Sequence, residues 1–73
     1  MSKIGANFTI ELEQETDGRW IAEIPELPGV IGYGVGREDA LAKVEALALR
    51  VIADQLETGE KSPRFASVGF SLV

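Results

Sequence analysis

The chain contains neither cysteine nor histidine among its 73 residues. It can therefore form no disulfide bond, and it lacks the usual ligands of a structural zinc site. Histidine is also the usual base of a nucleophilic triad, and the lysines, Lys3, Lys43 and Lys61, fall in predicted exposed segments unsuited to a catalytic base. The composition thus predicts a protein that is not an enzyme and needs no cofactor.

Long apolar runs and basic residues are also scarce. No segment approaches the roughly 20 apolar residues of a membrane span, and residues 1–7 lack the apolar core of a signal peptide, so we expect a cytoplasmic protein. Seven Lys and Arg stand against 12 Asp and Glu, for a net charge of −5. Phosphate backbones and anionic membranes repel such a chain, so we expect no direct binding to nucleic acid or membrane.

The length and the charge of the chain each have a further consequence. A domain of this size buries only about 60% of the surface that its unfolded chain exposes, and without disulfides or metals it gains most from self-association. We therefore expect a homodimer or a higher homo-oligomer. Its negative charge attracts basic partners, although it also simply keeps a small protein soluble.

Two segments before residue 25 alternate as half-buried strands do. Residues 8–14 place Phe8, Ile10 and Leu12 on one face, and residues 19–24 place Trp20, Ala22 and Ile24 on one face. A two-residue Asp17-Gly18 loop would set Leu12 against a charge, whereas a three-residue loop puts Gly18 in the left-handed position. The three-residue loop, which we predict, gives the pairs Leu12–Ala22, Ile10–Ile24, Glu11–Glu23 and Glu15–Arg19.

The rest of the chain predicts a third strand, a long helix and a last strand. Residues 30–34 form a short strand whose buried face the sequence leaves open. Helix Arg37–Glu57 follows a weak N-cap, Gly36, and ends at Gly59. Its predicted core face comprises Ala40, Leu41, Val44, Leu47, Ala48, Val51 and Ile52. A second stripe, Ala42, Ala46, Leu49 and Ala53, is either a solvated surface or a contact with another chain.

A polar linker, 60–64, leads to the last strand, 65–73, where Ala66, Val68, Phe70 and Leu72 share a face. This strand is a candidate sheet edge that needs cover. The order βββαβ predicts one α+β domain over residues 1–73, with the helix on one face of a four-stranded sheet. The helical crossover should be right-handed if the last strand returns parallel to a strand of the same sheet.

Two patterns of residues are candidate sites. The carboxylates Glu11, Glu13, Glu15 and Glu23 share a strand face and are candidates for binding a basic partner. The alternatives are an ordinary wet sheet face and a metal-dependent hydrolase that uses Glu11, Glu13 and Glu23. Gly32, Gly34 and Gly36 lack the spacing and the following Lys-Ser of a phosphate loop, so we interpret them as a strand-to-helix turn.

Residues 17–29, DGRWIAEIPELPG, resemble the HicB-like antitoxin family. That family shows an Asp-Gly turn, an aromatic residue, an alanine, a Pro-x-Leu-Pro-Gly loop, and then a glycine, a Glu-Ala pair that opens a helix, and a glycine that ends it. Gly34, Glu38-Asp39-Ala40 and Gly59 fit this continuation. The resemblance covers about residues 8–60. The matching positions, to which we assign structural roles, are Asp17, Gly18, Trp20, Pro25, Pro28, Gly29, Gly34, Glu38 and Ala40.

The resemblance implies a partial RNase-H-like βββαβ fold without the nuclease carboxylates. It also implies an antitoxin that sequesters a small basic HicA-type mRNA interferase by covering its RNA-binding surface. Many family members carry a C-terminal DNA-binding domain; a chain ending at Val73 leaves no room for one, so we expect no repression of its own operon. The alternative is an orphan homo-oligomeric HicB-like protein with an unknown ligand and no toxin partner.

Overall fold

The computed structural model describes the backbone of residues 4–59 and 65–73, and the side chains of residues 7–59 and 68–73. Its elements are β1 Ile4–Gln14, β2 Trp20–Glu23, β3 Ile31–Gly34, α1 Arg37–Glu57 and β4 Phe65–Leu72. The strands form one sheet in the order β3-β2-β1-β4, with β1 antiparallel to β2, β2 antiparallel to β3, and β4 parallel to β1. The predicted α+β architecture, with one helix on a four-stranded sheet, is confirmed. The predicted linker, 60–64, lies outside the described residues.

The hairpin between β1 and β2 has the predicted register. Leu12 pairs with Ala22, and the Glu15 N–H donates to the Arg19 carbonyl at 2.7 Å. Gly18 has a φ of +93°, the left-handed conformation that a three-residue loop requires. Strand β1 begins at Ile4, earlier than the predicted residue 8, because its first half pairs with β4.

Strand β3 turns its two glycines toward the helix, which answers the question that the sequence left open. A Cβ atom on Gly32 would lie 2.7 Å from the backbone nitrogen of Val44, and one on Gly34 would overlap the backbone nitrogen of Ala40. The absence of side chains therefore lets α1 approach β3 closely. Ile31 and Tyr33 consequently lie on the opposite face of the sheet.

Helix α1 has the predicted bounds and the predicted N-cap, Gly36, which makes no side-chain cap hydrogen bond. The Asp39 carboxylate in the first turn accepts hydrogen bonds from the Val35 N–H and the Lys43 Nζ, both at 3.2 Å, and so ties the start of the helix to the residue before the N-cap. The Lys43 hydrogen bond and the Val35 N–H lower the pKa of Asp39. At the other end, the Thr58 N–H donates to the Asp54 carbonyl at 2.9 Å.

The core lies between α1 and strands β2 and β3. The predicted helix face is confirmed, with four of its residues buried and three partly buried against the core. The buried apolar residues are Ile10, Ala22, Ile24, Leu27, Val30, Ala40, Val44, Ala48 and Ile52. The second helical stripe lies on the solvent side, where Ala42, Leu49 and Ala53 are exposed.

The loop between β2 and β3 is anchored at both of its central residues. Leu27 is only 8% exposed, and its N–H and carbonyl bond to Ile24 and Val30 at 3.0 Å each. The Glu26 carboxylate accepts the Thr9 N–H at 3.1 and 3.2 Å. Because β2 ends at Glu23, the Thr9 N–H has no strand partner on that side of β1, and Glu26 takes its place.

The contact of Glu26 with Thr9 makes stability depend on pH. The hydrogen bond from Thr9 lowers the pKa of Glu26 from its ordinary 4.5, so the folded state favours the ionised form. Its stabilising contribution is complete above pH 4.5 and is lost as the pH falls through the lowered value. We expect Glu26→Gln to be less stable than the parent at pH 7 and to approach it at pH 3, as measured by urea unfolding.

The matched control for this variant is Glu57→Gln. It removes one exposed carboxylate at the end of α1, away from any strand N–H, and leaves the hydrogen bond of Glu26 in place. The difference in unfolding free energy between Glu57→Gln and the parent should therefore change with pH much less than the difference between Glu26→Gln and the parent. Equal pH dependence in the two variants would mean that the carboxylate of Glu26 does not secure β1.

Candidate partner-binding face

The face of the sheet opposite α1 combines carboxylates with apolar side chains. Across the strands, Glu13, Ile21 and Tyr33 form one row. Glu11, Glu23 and Ile31 form the next row. These six residues, which we call the acidic sheet face, alternate along their strands with the residues that face the helix.

The negative charge of this face is concentrated on Glu11 and Glu23, which are direct cross-strand partners. Such partners have Cβ atoms about 5 Å apart, and like charges at that spacing destabilise a sheet. Among residues 7–59 and 68–73, the ion pairs are Arg19–Asp17 and Lys43–Asp39, and neither neutralises this pair. A cationic partner would therefore relieve a repulsion that is built into the free protein.

The apolar part of the face was missed by the sequence reasoning, which named only the carboxylates. Tyr33 is 49% exposed, and Ile21 and Ile31 are half-buried beside it. The signal that could have found them is the pair of glycines at positions 32 and 34, since a strand that approaches an alanine-containing helix turns its smallest residues toward it. Tyrosine is enriched among the residues that dominate binding energy at interfaces.

Glu15 lies at the rim of the face and not within it, because β1 ends at Gln14. The predicted backbone pairing with Arg19 is present, but the Arg19 side chain forms its ion pair with Asp17, at 3.0 Å. The Arg19 N–H also donates to the Asp17 carboxylate at 3.1 Å, and this hydrogen bond lowers the pKa of Asp17. Glu15 itself is exposed.

The remaining residues of the family signature shape the turn, the loop and the helix start. Trp20 lies under the Arg37 guanidinium, whose carbon is 5.9 Å from the centroid of the tryptophan ring. Gly29 has a φ of +85°, between Pro28 and the buried Val30. Pro25 is exposed, Glu38 is an acidic residue of the first helical turn, and Ala40 is fully buried against Gly34.

Metal chemistry has no site in the described part of the chain. Among residues 4–59 and 65–73, no three acidic side chains converge closely enough to hold a metal ion. The hydrolase alternative requires Glu11, Glu13 and Glu23 to do so, and it is not supported there. Within the same residues, no helix is both long and apolar enough to cross a membrane.

Comparison of the chain with protein-family models, with curated proteins and with solved structures finds no match. Three carboxylates on β1 and β2, beside the exposed Tyr33 and the half-buried Ile21 and Ile31, are suited to binding a basic surface through both charge and apolar contact.

Proposed function

We propose that this protein is a HicB-like antitoxin that sequesters a small basic HicA-type mRNA interferase in the cytoplasm. The acidic sheet face would cover the cationic surface with which such a toxin holds RNA. The observation that supports this proposal most directly is the Glu11–Glu23 pair, two carboxylates held side by side that take part in neither ion pair of residues 7–59 and 68–73.

The charge and the exposed aromatic residue of the acidic sheet face fit a basic protein partner. Its carboxylates take the place of the phosphates that the RNA-binding surface of a toxin attracts, and the net charge of −5 steers such a partner from a distance. Tyr33, 49% exposed, offers a rigid aromatic anchor at the edge of the carboxylates. Protein interfaces usually combine such apolar contacts with polar and charged ones, and here the apolar residues of β2 and β3 lie beside the carboxylates of β1 and β2.

The topology also supports the resemblance to the family. The strand order β3-β2-β1-β4, with β4 parallel to β1, is the arrangement expected of a partial RNase-H-like fold. The Asp-Gly turn, the Pro-x-Leu-Pro-Gly loop and the helix start each adopt a defined conformation, with Gly18 and Gly29 both at positive φ. We therefore propose a partial RNase-H-like fold together with membership of the HicB-like family.

Binding should depend on the carboxylates of the face and not only on net charge. The triple variant Glu11→Gln, Glu13→Gln, Glu23→Gln should bind the product of the adjacent reading frame roughly 1000-fold more weakly, because each of three close interfacial charge pairs is worth about 1.5 kcal/mol, or about tenfold in affinity. Isothermal titration calorimetry against the purified partner measures this change. Growth rescue in cells that express the partner should fail in parallel.

The matched control carries the same change of net charge on the helix: Glu45→Gln, Asp54→Asn, Glu57→Gln. Since long-range steering depends on net charge, the two triple variants should share any loss that arises from it, and only the sheet variant should lose the close contacts. Equal losses in the two variants would contradict the proposed face. A partner that is absent, not basic, or not toxic would point to the orphan alternative.

A further inference from the structure

A ribbon of two parallel strands extends the sheet away from the helix. Residues Ile4–Ile10 of β1 pair with Phe65–Leu72 of β4, whereas α1 packs mainly on β2 and β3. On the helix side of this ribbon the Phe8 and Phe70 rings are 6.0 Å apart, Val68 is 37% exposed and Leu72 is 46% exposed. Parallel strands are normally buried on both faces, and the described part of the chain, residues 4–59 and 65–73, covers this ribbon only partly.

The dimensions of the chain show the same extension. The radius of gyration is 13.4 Å, whereas a compact chain of this length has one of about 11 Å. The longest extent, 47 Å, is more than twice the next, 22 Å. The described residues are therefore more elongated than a compact chain of this length.

The open edge of the ribbon is β4, which is the last strand in the sheet order. Monomeric proteins protect such an edge with charged side chains, proline or a very short strand. Strand β4 has eight residues, and neither residues 65–73 nor residues 4–10 include a charge or a proline. The register shift between Ile4 and Gly5 marks an irregularity at the start of the β1–β4 pairing, and from Ser67 to Val73 the edge has neither charge nor proline to oppose pairing with another strand.

Charge indicates what covers this edge. A basic partner is drawn to the acidic sheet face and gains nothing from an uncharged strand, whereas two copies that each carry −5 can approach closely only where their charges are absent. Residues 4–10 and 65–73 provide such a surface. We propose that β4 pairs antiparallel with β4 of a second copy, so that the two sheets join into one of eight strands.

The backbone of β4 sets the register of this pairing. The Val73 N–H donates to the Ile10 carbonyl at 3.1 Å, and the backbone polar groups of a strand alternate in direction from one residue to the next. Odd-numbered residues of β4 therefore bond to β1, and the N–H and C=O groups of Val68, Phe70 and Leu72 point to the open edge. A two-fold axis at Gly69 pairs Val68 of each copy with Phe70 of the other, and both helices then lie on the same side of the joined sheet.

The parent protein should elute as a dimer of about twice the 7.9 kDa chain mass in size-exclusion chromatography with light scattering at high micromolar concentration, and dissociate on dilution. Val68→Lys places a charge at the centre of the pairing and should give a monomer with an unchanged far-UV circular dichroism spectrum. Val35→Lys, a matched change at a residue that is 85% exposed and lies off β4, should remain a dimer.

A second measurement works even if Val68→Lys fails to fold. Because the chain has no cysteine, Gly69→Cys introduces a single thiol on the two-fold axis, where opposed non-hydrogen-bonded residues have Cα atoms about 4.5 Å apart. That separation permits a disulfide, so mild oxidation should crosslink this variant far faster than Val35→Cys.

Three outcomes would overturn the inference. One is a parent protein that stays monomeric at every concentration, and another is a Val68→Lys dimer of parental affinity. The third is equal crosslinking of the two cysteine variants. None of these outcomes depends on a toxin partner, so failure of this inference is distinguishable from failure of the proposed function.

Discussion

Replacing Gly34 with valine should lower the free energy of unfolding by about 3 kcal/mol, the upper part of the usual range for overpacking. A side chain at this position would overlap the backbone of α1 at Asp39 and Ala40, and neither backbone can move without shifting the start of the helix. For a domain of this size, such a loss should lower the Tm by more than about 10 °C. Thermal unfolding followed by circular dichroism measures it.

Gly36→Ser is the control for this substitution. It adds a side chain two residues later, where no atom lies within 4 Å of a new Cβ, and serine is a favoured N-cap. This variant should be as stable as the parent or more stable by a few tenths of a kcal/mol. Equal stability of the Gly34 and Gly36 variants would show that the helix does not need the close approach to β3.

Leu27→Ala should destabilise the protein by about 2–5 kcal/mol, the cost of truncating a buried leucine. Leu27 is the central residue of the Pro-x-Leu-Pro-Gly loop and is only 8% exposed, so truncation leaves a cavity that the flanking prolines hold open. Urea unfolding gives the free energy. The result distinguishes a loop that completes the core from a loop that serves mainly as a contact for partners.

Leu49→Ala is the matched control, since Leu49 is 50% exposed on the outer side of α1. Its effect on stability should stay within about 0.5 kcal/mol. If Leu27→Ala also changes stability by so little while weakening partner binding, the loop is a recognition element and our structural interpretation of it is wrong.

The helix and the hairpin register could be predicted because each leaves a repeated pattern of side chains. Twenty-one residues with apolar positions three and four apart define α1. For the hairpin, a two-residue loop would have set Leu12 against Glu23, so matching apolar faces across the strands excluded it. Both inferences use contacts between residues that are close in sequence.

Two features could not be predicted, and the physical reason is the same for both: the local sequence carries no pattern that indicates them. The start of β1 at Ile4 depends on pairing with β4, about 60 residues later, and no local pattern around Gly5 and Asn7 indicates it. The orientation of β3 depends on the close approach of α1, because glycine gives no apolar signal of its own. The carboxylates of the acidic sheet face were therefore predicted, whereas Tyr33 and the two isoleucines beside it were not.

The pairing of β1 with β4 also has a consequence for synthesis on the ribosome. The first half of β1 leaves the exit tunnel early, but its parallel partner follows only after residues 65–72 have been translated, about 3–12 s later at typical elongation rates. During that interval an uncharged, strand-forming stretch has no hydrogen-bonding partner. Residues 4–10 are therefore open to pairing with neighbouring nascent chains until β4 has been made.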